Sequence, residues 1–416
     1  MASNIGTWMQ TVGAAWLMAT LSTSPLMIAL VQTASSLPVF LLAAPAGAIA
    51  DMVDRRKLLI ATQTWMLIAA ALLGALTLAG VTGPYTLLLL TFALGLGSAM
   101  NAPAWQATVP QLVPREQLPS AVALNSVQFN IARAIGPAVG GLVISLWNTG
   151  IAFVFNALSF LGVVVVLWCW SGERNAKRST EGVLPAMRAG WQYVRSTASF
   201  RAVLIRSGVF VFGASALWAM LPVVAKHELS GSSRGYGLLL GCLGAGSVIG
   251  ALFFARLRGT IQPDALVGAG TVLFAGATAG LGYLERFGLL CGAMLAGGVA
   301  WMCVMSTFNV AAQMSLPGWV RARALSYYIL VFQGTMAVGG WVWGQTAAQT
   351  GTRQALFVAA AALLVGIVSS PWLPMHEIQE PELTAEMHWP EPAITSSEVV
   401  EKELTRQQSR PPPSRD

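Results

Sequence analysis

Apolar runs alternate with short polar segments along almost the whole chain. Twelve of the runs approach the roughly 20 residues needed to cross hydrocarbon as a helix. They fall at about 4–21, 26–50, 58–80, 85–111, 118–146, 151–170, 201–224, 238–255, 265–284, 289–315, 325–347 and 355–373. The pattern predicts an all-α integral membrane protein with twelve transmembrane helices. Residues 171–200 break the rhythm, being polar and basic with Arg174, Lys177, Arg178, Arg188 and Arg195. Within them, 186–194 has the spacing of a short helix lying on the membrane surface. The expected organisation is an N-terminal six-helix bundle over 1–170, a cytoplasmic central linker over 171–200 and a C-terminal six-helix bundle over 201–375. The remainder, 376–416, is rich in Pro, Glu and Ser, and is expected to be a disordered cytoplasmic tail.

The two halves echo each other at a shift of about 200 residues, as the halves of transporters do. Gly47-Ala-Ile with Arg55 aligns with Gly250-Ala-Leu with Arg258, and Gln106 to Pro110 aligns with Gln313 to Pro317. Ala138-Val-Gly-Gly141 aligns with Ala337-Val-Gly-Gly340. Two pseudo-symmetric bundles so related place a binding cavity between them, near the membrane midplane.

Loop charge orients the chain. With both termini inside, the loops assigned to the cytoplasm and the helix mouths beside them hold 15 Lys and Arg. The alternate loops hold four, Lys226, Arg234, Arg286 and Arg353. Basic loops resist translocation, so cytoplasmic termini and a multi-pass cell-membrane location are expected.

Composition then removes other classes. The chain is 55% hydrophobic and 10% charged over 416 residues, against about a quarter charged in soluble domains. A net charge of +7 invites a nucleic-acid reading, but the cations sit in loops between apolar runs and form no folded basic face. Cys169, Cys242, Cys291 and Cys303 lie in apolar runs without metal-ligand spacing. The three histidines lie in loops or the tail, so no metal is expected. No nucleophile–base set and no phosphate-binding loop is present, so the chain reads as a non-enzyme without a cofactor.

A knot of charge, Gly47-Ala-Ile-Ala-Asp51-Met-Val-Asp54-Arg55-Arg56-Lys57, separates the second and third runs. Gly47 allows close helix approach. Asp51 and Arg55, four apart, have the spacing to share one helix face. The order resembles the loop signature of the major facilitator superfamily, Gly-x-Leu-Ala-Asp-Arg-x-Gly-Arg-Lys, which Gly47, Asp51, Arg55 and Arg56 match. Met52 and Asp54 depart from it. In the fifth run, Gly136, Pro137, Gly140 and Gly141 resemble the antiporter signature of superfamily exporters, with Ala132 where its first glycine falls. Further pieces, Gly6-Thr-Trp-Met-Gln10, Leu124-Asn-Ser126 and Val331-Phe-Gln-Gly334, resemble the branch of enterobactin exporters and macrolide efflux proteins. The resemblance covers nearly all of 1–375. It implies the major facilitator fold, and a conformational gate at Gly47, Asp51, Asp54, Arg55 and Arg56. It also implies a helix bend at Gly136, Pro137, Gly140 and Gly141, for which Pro137 removes a backbone hydrogen bond.

Arg133 is the one charge that falls deep inside a run. Either it faces the cavity or an anionic ligand, or the helix starts later and its side chain snorkels to the cytoplasmic face. Gln10, Gln32, Asn101, Gln106, Asn130, Asn309, Gln313 and Gln333 are the other polar candidates for substrate or coupling, as cavity-lining groups or as interhelical hydrogen bonds. Trp218, with Trp16, Met302 and Met305, offers adaptable apolar surface to a ligand or to lipid. No carboxylate falls in mid-helix. Protons therefore bind at a loop-edge acid such as Asp51, Glu228 or Asp264, or coupling is unusual or missing. The expected function is proton-coupled export of small amphipathic molecules, drug-like or siderophore-like, by alternating access in a functional monomer within the bilayer. An uptake permease and a non-transporting membrane sensor are the alternatives.

Overall fold

The computed structural model describes residues 1–114, 117–170, 183–227, 231–257, 260–316, 321–368 and 373. The tail 376–416, linker residues 171–182, and Arg115, Glu228, Arg258 and Pro317 therefore lie outside the described residues.

Hydrocarbon offers no partner to a backbone amide, so an apolar run in a membrane closes its own hydrogen bonds as a helix. The described residues form thirteen helices. These are α1 (Ala2–Leu21), α2 (Pro25–Met52), α3 (Arg55–Leu78), α4 (Pro84–Leu112), α5 (Leu118–Leu146), α6 (Thr149–Cys169) and α7 (Val183–Ser196). They continue with α8 (Ala198–His227), α9 (Ser233–Leu257), α10 (Pro263–Tyr283), α11 (Phe287–Met314), α12 (Arg321–Thr350) and α13 (Thr352–Val368). Each apolar run coincides with one helix other than α7.

Local chemistry sets several boundaries. Pro25, Pro84 and Pro263 open α2, α4 and α10, where a missing N–H costs nothing. Asp54 caps α3 by accepting from the Lys57 backbone N–H at 3.2 Å, and Asn148 caps α6 by accepting from that of Ile151 at 3.0 Å. α2 ends at Met52 and α3 begins at Arg55. Asp51 and Arg55 therefore belong to different helices, and the shared-face spacing does not hold.

Eight helices, α2, α3, α4, α6, α8, α9, α10 and α11, are long and apolar enough to cross a membrane by composition alone. α13 has 17 residues. The other three are long enough, at 20, 29 and 30 residues for α1, α5 and α12, but carry polar side chains such as Gln10, Arg133 and Gln333. In the fold these groups meet protein: Gln10 is buried and bonded to Asn156 of α6, and Arg133 stands among three tryptophan rings.

The helices pack as two matched sets. In the first half α1 packs on α5 and α6, α3 on α4 and α6, and α2 on α4. In the second, α8 packs on α12 and α13, α10 on α11 and α13, and α9 on α11. Each pairing is the other displaced by one half. The halves meet through α2 with α12 and α5 with α9, which exchange under the same operation. The linker helix α7 seats its apolar face on protein: Trp191 lies 5.9 Å from the Tyr327 ring, and the Tyr193 hydroxyl donates to the Ser315 carbonyl at 2.9 Å. Its place is against α12 and the end of α11.

Candidate functional site

The seam between the halves is built from glycine. A methyl added at Gly141 on α5 would lie 2.6 Å from the Ser233 carbonyl oxygen and 2.8 Å from Gly237 Cα on α9. One at Gly340 on α12 would lie 3.0 Å from Thr33 Oγ1 on α2, whose hydroxyl donates to the Ala337 carbonyl at 2.8 Å. Such close backbone approach is the usual use of small residues between membrane helices. Gly136 and Gly140 face the other way, toward Trp8 and Met9 on α1. The four-residue motif thus lets α5 press against its own half and the opposite half at once. Pro137 lies inside α5 and cannot donate to the carbonyl four residues earlier, that of Arg133. Gly244 of α9 packs there: a methyl added to it would lie 2.6 Å from Ala134 Cα and 2.9 Å from that carbonyl.

Nearer the Pro25 end of α2 the seam is held by side chains. Trp16 of α1 stacks on Tyr236 of α9 with centroids 6.1 Å apart, and Lys226 Nζ of α8 stands 5.1 Å from the Trp16 ring. Arg234 Nε donates to Ser145 Oγ at 2.6 Å, joining α9 to α5. Together these close that end of the seam.

Below the closure a narrow cleft of about 30 Å³ runs between α1, α2, α8 and α9, lined by Trp8, Thr11, Gln32, Trp218 and Tyr236 among others. Arg133 is not among its lining residues but stands next to two of them, Trp8 and Trp218. Its guanidinium carbon is 6.0 Å from the Trp8 ring, 5.9 Å from Trp218 and 5.8 Å from Trp301. Arg133 Nε is buried with no hydrogen-bond partner, and so is Trp218 Nε1. Four helices, α1, α5, α8 and α11, each contribute one member of this cage. Three of the indoles are partners of one cation, and cation–π attraction offsets part of its desolvation.

The remaining expected residues scatter. Gln32 lines the cleft and donates from Nε2 to Ser36 Oγ at 2.9 Å. Gln10 is buried, and its Oε1 accepts from Asn156 Nδ2 at 3.3 Å between α1 and α6. Asn101 Oδ1 accepts from Thr62 and Gln63, both at 3.2 Å, between α3 and α4. Gln106 is exposed; Asn309 and Gln313 are exposed and bonded to each other; Gln333 is half-buried. The surroundings of Gly47, Asp51 and the Asn130 side chain lie outside the described residues. Of the charged knot, Asp54 caps α3, Arg55 is partnered, and Arg56 donates from Nε to the Leu167 carbonyl at 2.9 Å and from Nη2 to that of Trp168 at 2.7 Å. Arg56 therefore ties α3 to the C-terminal end of α6 inside one half.

Sequence reasoning passed over Trp8, Trp301 and Tyr236 as site residues. A second cleft lies within the second half, lined by Arg206, Phe210, Thr271 and Phe308. Arg206 is ion-paired with Asp264 and donates to the Leu373 carbonyl at 3.1 Å.

A family described as "transmembrane secretion effector" matches residues 1–403 of the chain. The staphyloferrin A transporter of Staphylococcus aureus is 25% identical over 61% of this chain and 64% of its own, so the chain spans less than two thirds of that relative's length. Macrolide efflux protein A of Enterococcus faecalis is 22% identical over 55% of this chain and 72% of its own. Among solved structures, a point mutant of the nucleoside transporter NupG superposes with a TM-score of 0.72 at 13% identity, over 89% of this chain and 98% of its own.

Proposed function

The chain belongs to the transmembrane secretion effector family, a multi-pass membrane transporter group of the major facilitator type and not an enzyme family, and on that premise we propose that it exports small amphipathic molecules by alternating access. The supporting observation is the seam. Two matched helix sets enclose a cleft and close over one end of it, with α2–α12 and α5–α9 as interchangeable gates. Opening that end while closing the other carries a bound molecule across without a continuous pore.

In this reading all twelve helices other than α7 span the cell membrane. The bundles occupy 1–170 and 201–375, with 171–200 as linker and 376–416 as tail, and the chain works as a monomer with both termini cytoplasmic. The closed end is the outer end, and the cleft takes substrate from the cytoplasm or inner leaflet. Gly47, Asp51, Asp54, Arg55 and Arg56 act at the inner gate, and Pro137 with its glycines is the point where α5 flexes. Export direction rests on the α5 signature and on the printed efflux function of the relative from Enterococcus faecalis. Proton exchange drives the cycle. Asp264, a carboxylate about a third exposed and paired with Arg206 beside the second cleft, is the described acid best placed to take and release a proton.

The test is proton movement in inside-out vesicles, screened against siderophores, macrolides and lipophilic cations. Compound-dependent collapse of an imposed pH gradient is expected. Accumulation of substrate with no proton movement would remove proton coupling, and entry into right-side-out vesicles alone would make the protein an uptake permease.

A further inference from the structure

The Arg133 cage is unusual in what it lacks. A guanidinium deep in a membrane protein is costly unless a counter-charge or a set of acceptors meets it. Among the described residues Arg133 has neither a hydrogen bond nor an ion pair, only three indole faces within 6.0 Å. The nearest cleft lining holds no acidic side chain. A second buried donor, Trp218 Nε1, is unpaired in the same cage. Two unsatisfied buried donors, one of them charged, thus lie in one cage, two of whose members, Trp8 and Trp218, also line the cleft.

We infer that this cage is a binding site for a carboxylate-bearing amphiphile, the acid meeting Arg133 and Trp218 and the apolar body lying along the tryptophans. The inference deepens the exporter reading by naming the charge class of the substrate. A carboxylate fits the fork of a guanidinium in its plane and forms charge-assisted hydrogen bonds, which are about twice as strong as neutral ones. A single carboxylate also matches the single positive charge, whereas a dianionic phosphate leaves one negative charge among indoles. A cationic ligand meets Arg133 with no acid in the lining to offset the repulsion. A neutral ligand fills the apolar space and leaves Arg133 as it is.

The matched probes are phenylpropionate, phenylpropanol and phenylpropylamine, titrated by calorimetry into the full-length protein in lipid nanodiscs, with empty nanodiscs as blank. The acid should bind about tenfold or more tightly than the alcohol, the range of a charged hydrogen bond, and the amine least. Arg133→Gln should bring the acid down to the alcohol's level, Arg133→Lys should keep part of the preference, and Trp218→Phe should weaken the acid several-fold more than the alcohol. Alcohol binding as tight as acid in the wild type overturns the inference, as does unchanged acid affinity in Arg133→Gln. Should Arg133→Gln aggregate, the wild-type preference and Trp218→Phe decide the matter. Vesicle transport separates this outcome from the parent reading. Export of neutral or cationic compounds without acid preference sinks the carboxylate site alone, while acid binding with no transport of any compound sinks the exporter and leaves the site.

Discussion

Gly141 on α5 and Gly340 on α12 occupy equivalent places in the two halves, and each faces the second helix of the opposite half. Gly141 meets Gly237 of α9, and Gly340 meets Ala29, Gln32 and Thr33 of α2. The glycine before each one, Gly140 or Gly339, instead faces the first helix of its own half, through Met9 of α1 or through Phe212 and Ser215 of α8. One repeated tetrapeptide thus supplies both the internal and the crossing contact of each half.

A side chain at either crossing glycine should hold the seam open. Gly141→Leu and Gly340→Leu are each expected to lower transport about tenfold or more, since overpacking a tight contact costs about 1–3 kcal/mol. Gly162→Ala, whose added methyl meets nothing within 4 Å, should transport normally. Equal transport by Gly141→Leu at equal membrane abundance would remove the seam from the mechanism.

The bond between Arg234 and Ser145 crosses the closed end, so that end should be trappable. In a variant first cleared of the four native cysteines, Ser145→Cys with Arg234→Cys is expected to be joined by a short bis-methanethiosulfonate crosslinker, which forms a reducible disulfide with each thiol. Transport should stop and return on reduction. Crosslinked protein that still transports would show that this end need not open.

Arg56 also holds the C-terminal end of α6, through the Leu167 and Trp168 carbonyls, so its loss should be felt in stability as well as at the inner gate. Arg56→Ala should lower thermal stability by about 1–2 kcal/mol, the partly exposed pair of bonds being discounted for solvent. Arg56→Lys should recover about half. A melting temperature unchanged by Arg56→Ala would contradict the assignment.

Asp264→Asn keeps an acceptor beside Arg206 but removes the titrating group. If Asp264 carries the coupling proton, the variant should exchange labelled substrate across vesicles at near wild-type rate while losing gradient-driven export. Asp264→Ala should instead destabilise the fold by about 1–3 kcal/mol, because it leaves Arg206, which is 6% exposed, with the Leu373 carbonyl but no counter-charge. Gradient-driven export by Asp264→Asn would move coupling elsewhere.

Much of the architecture was legible because hydrocarbon imposes one rule on every span, and apolar run length reports it directly. The repeated Ala-Val-Gly-Gly was legible too, as two identical solutions to one packing problem. The cage around Arg133 was only half legible. A lone arginine in an apolar run announces itself, but Trp8 and Trp301 look like any aromatic on a membrane helix, and only the packing of α1 and α11 brings them to it. For the polar residues the sequence left two roles open, and type alone does not choose between them. Gln10 and Asn101 are spent on helix–helix bonds within one half, and Asp54 on a cap, because a short polar side chain serves a nearby backbone or neighbour as readily as it serves a cavity. The apolar stripe of α7 reads equally as a membrane face or a docking face until Tyr327 and Ser315 are in place.

The glycine seam also bears on how abruptly the carrier can move. A contact made by interlocking side chains yields gradually, one rotamer after another. Backbone against backbone has fewer such intermediate settings, because a gap of about 0.5–1 Å already forfeits about a quarter to a half of the attraction. A surface of this kind behaves as a latch with two positions, and a carrier built on it spends little of its cycle with both ends ajar.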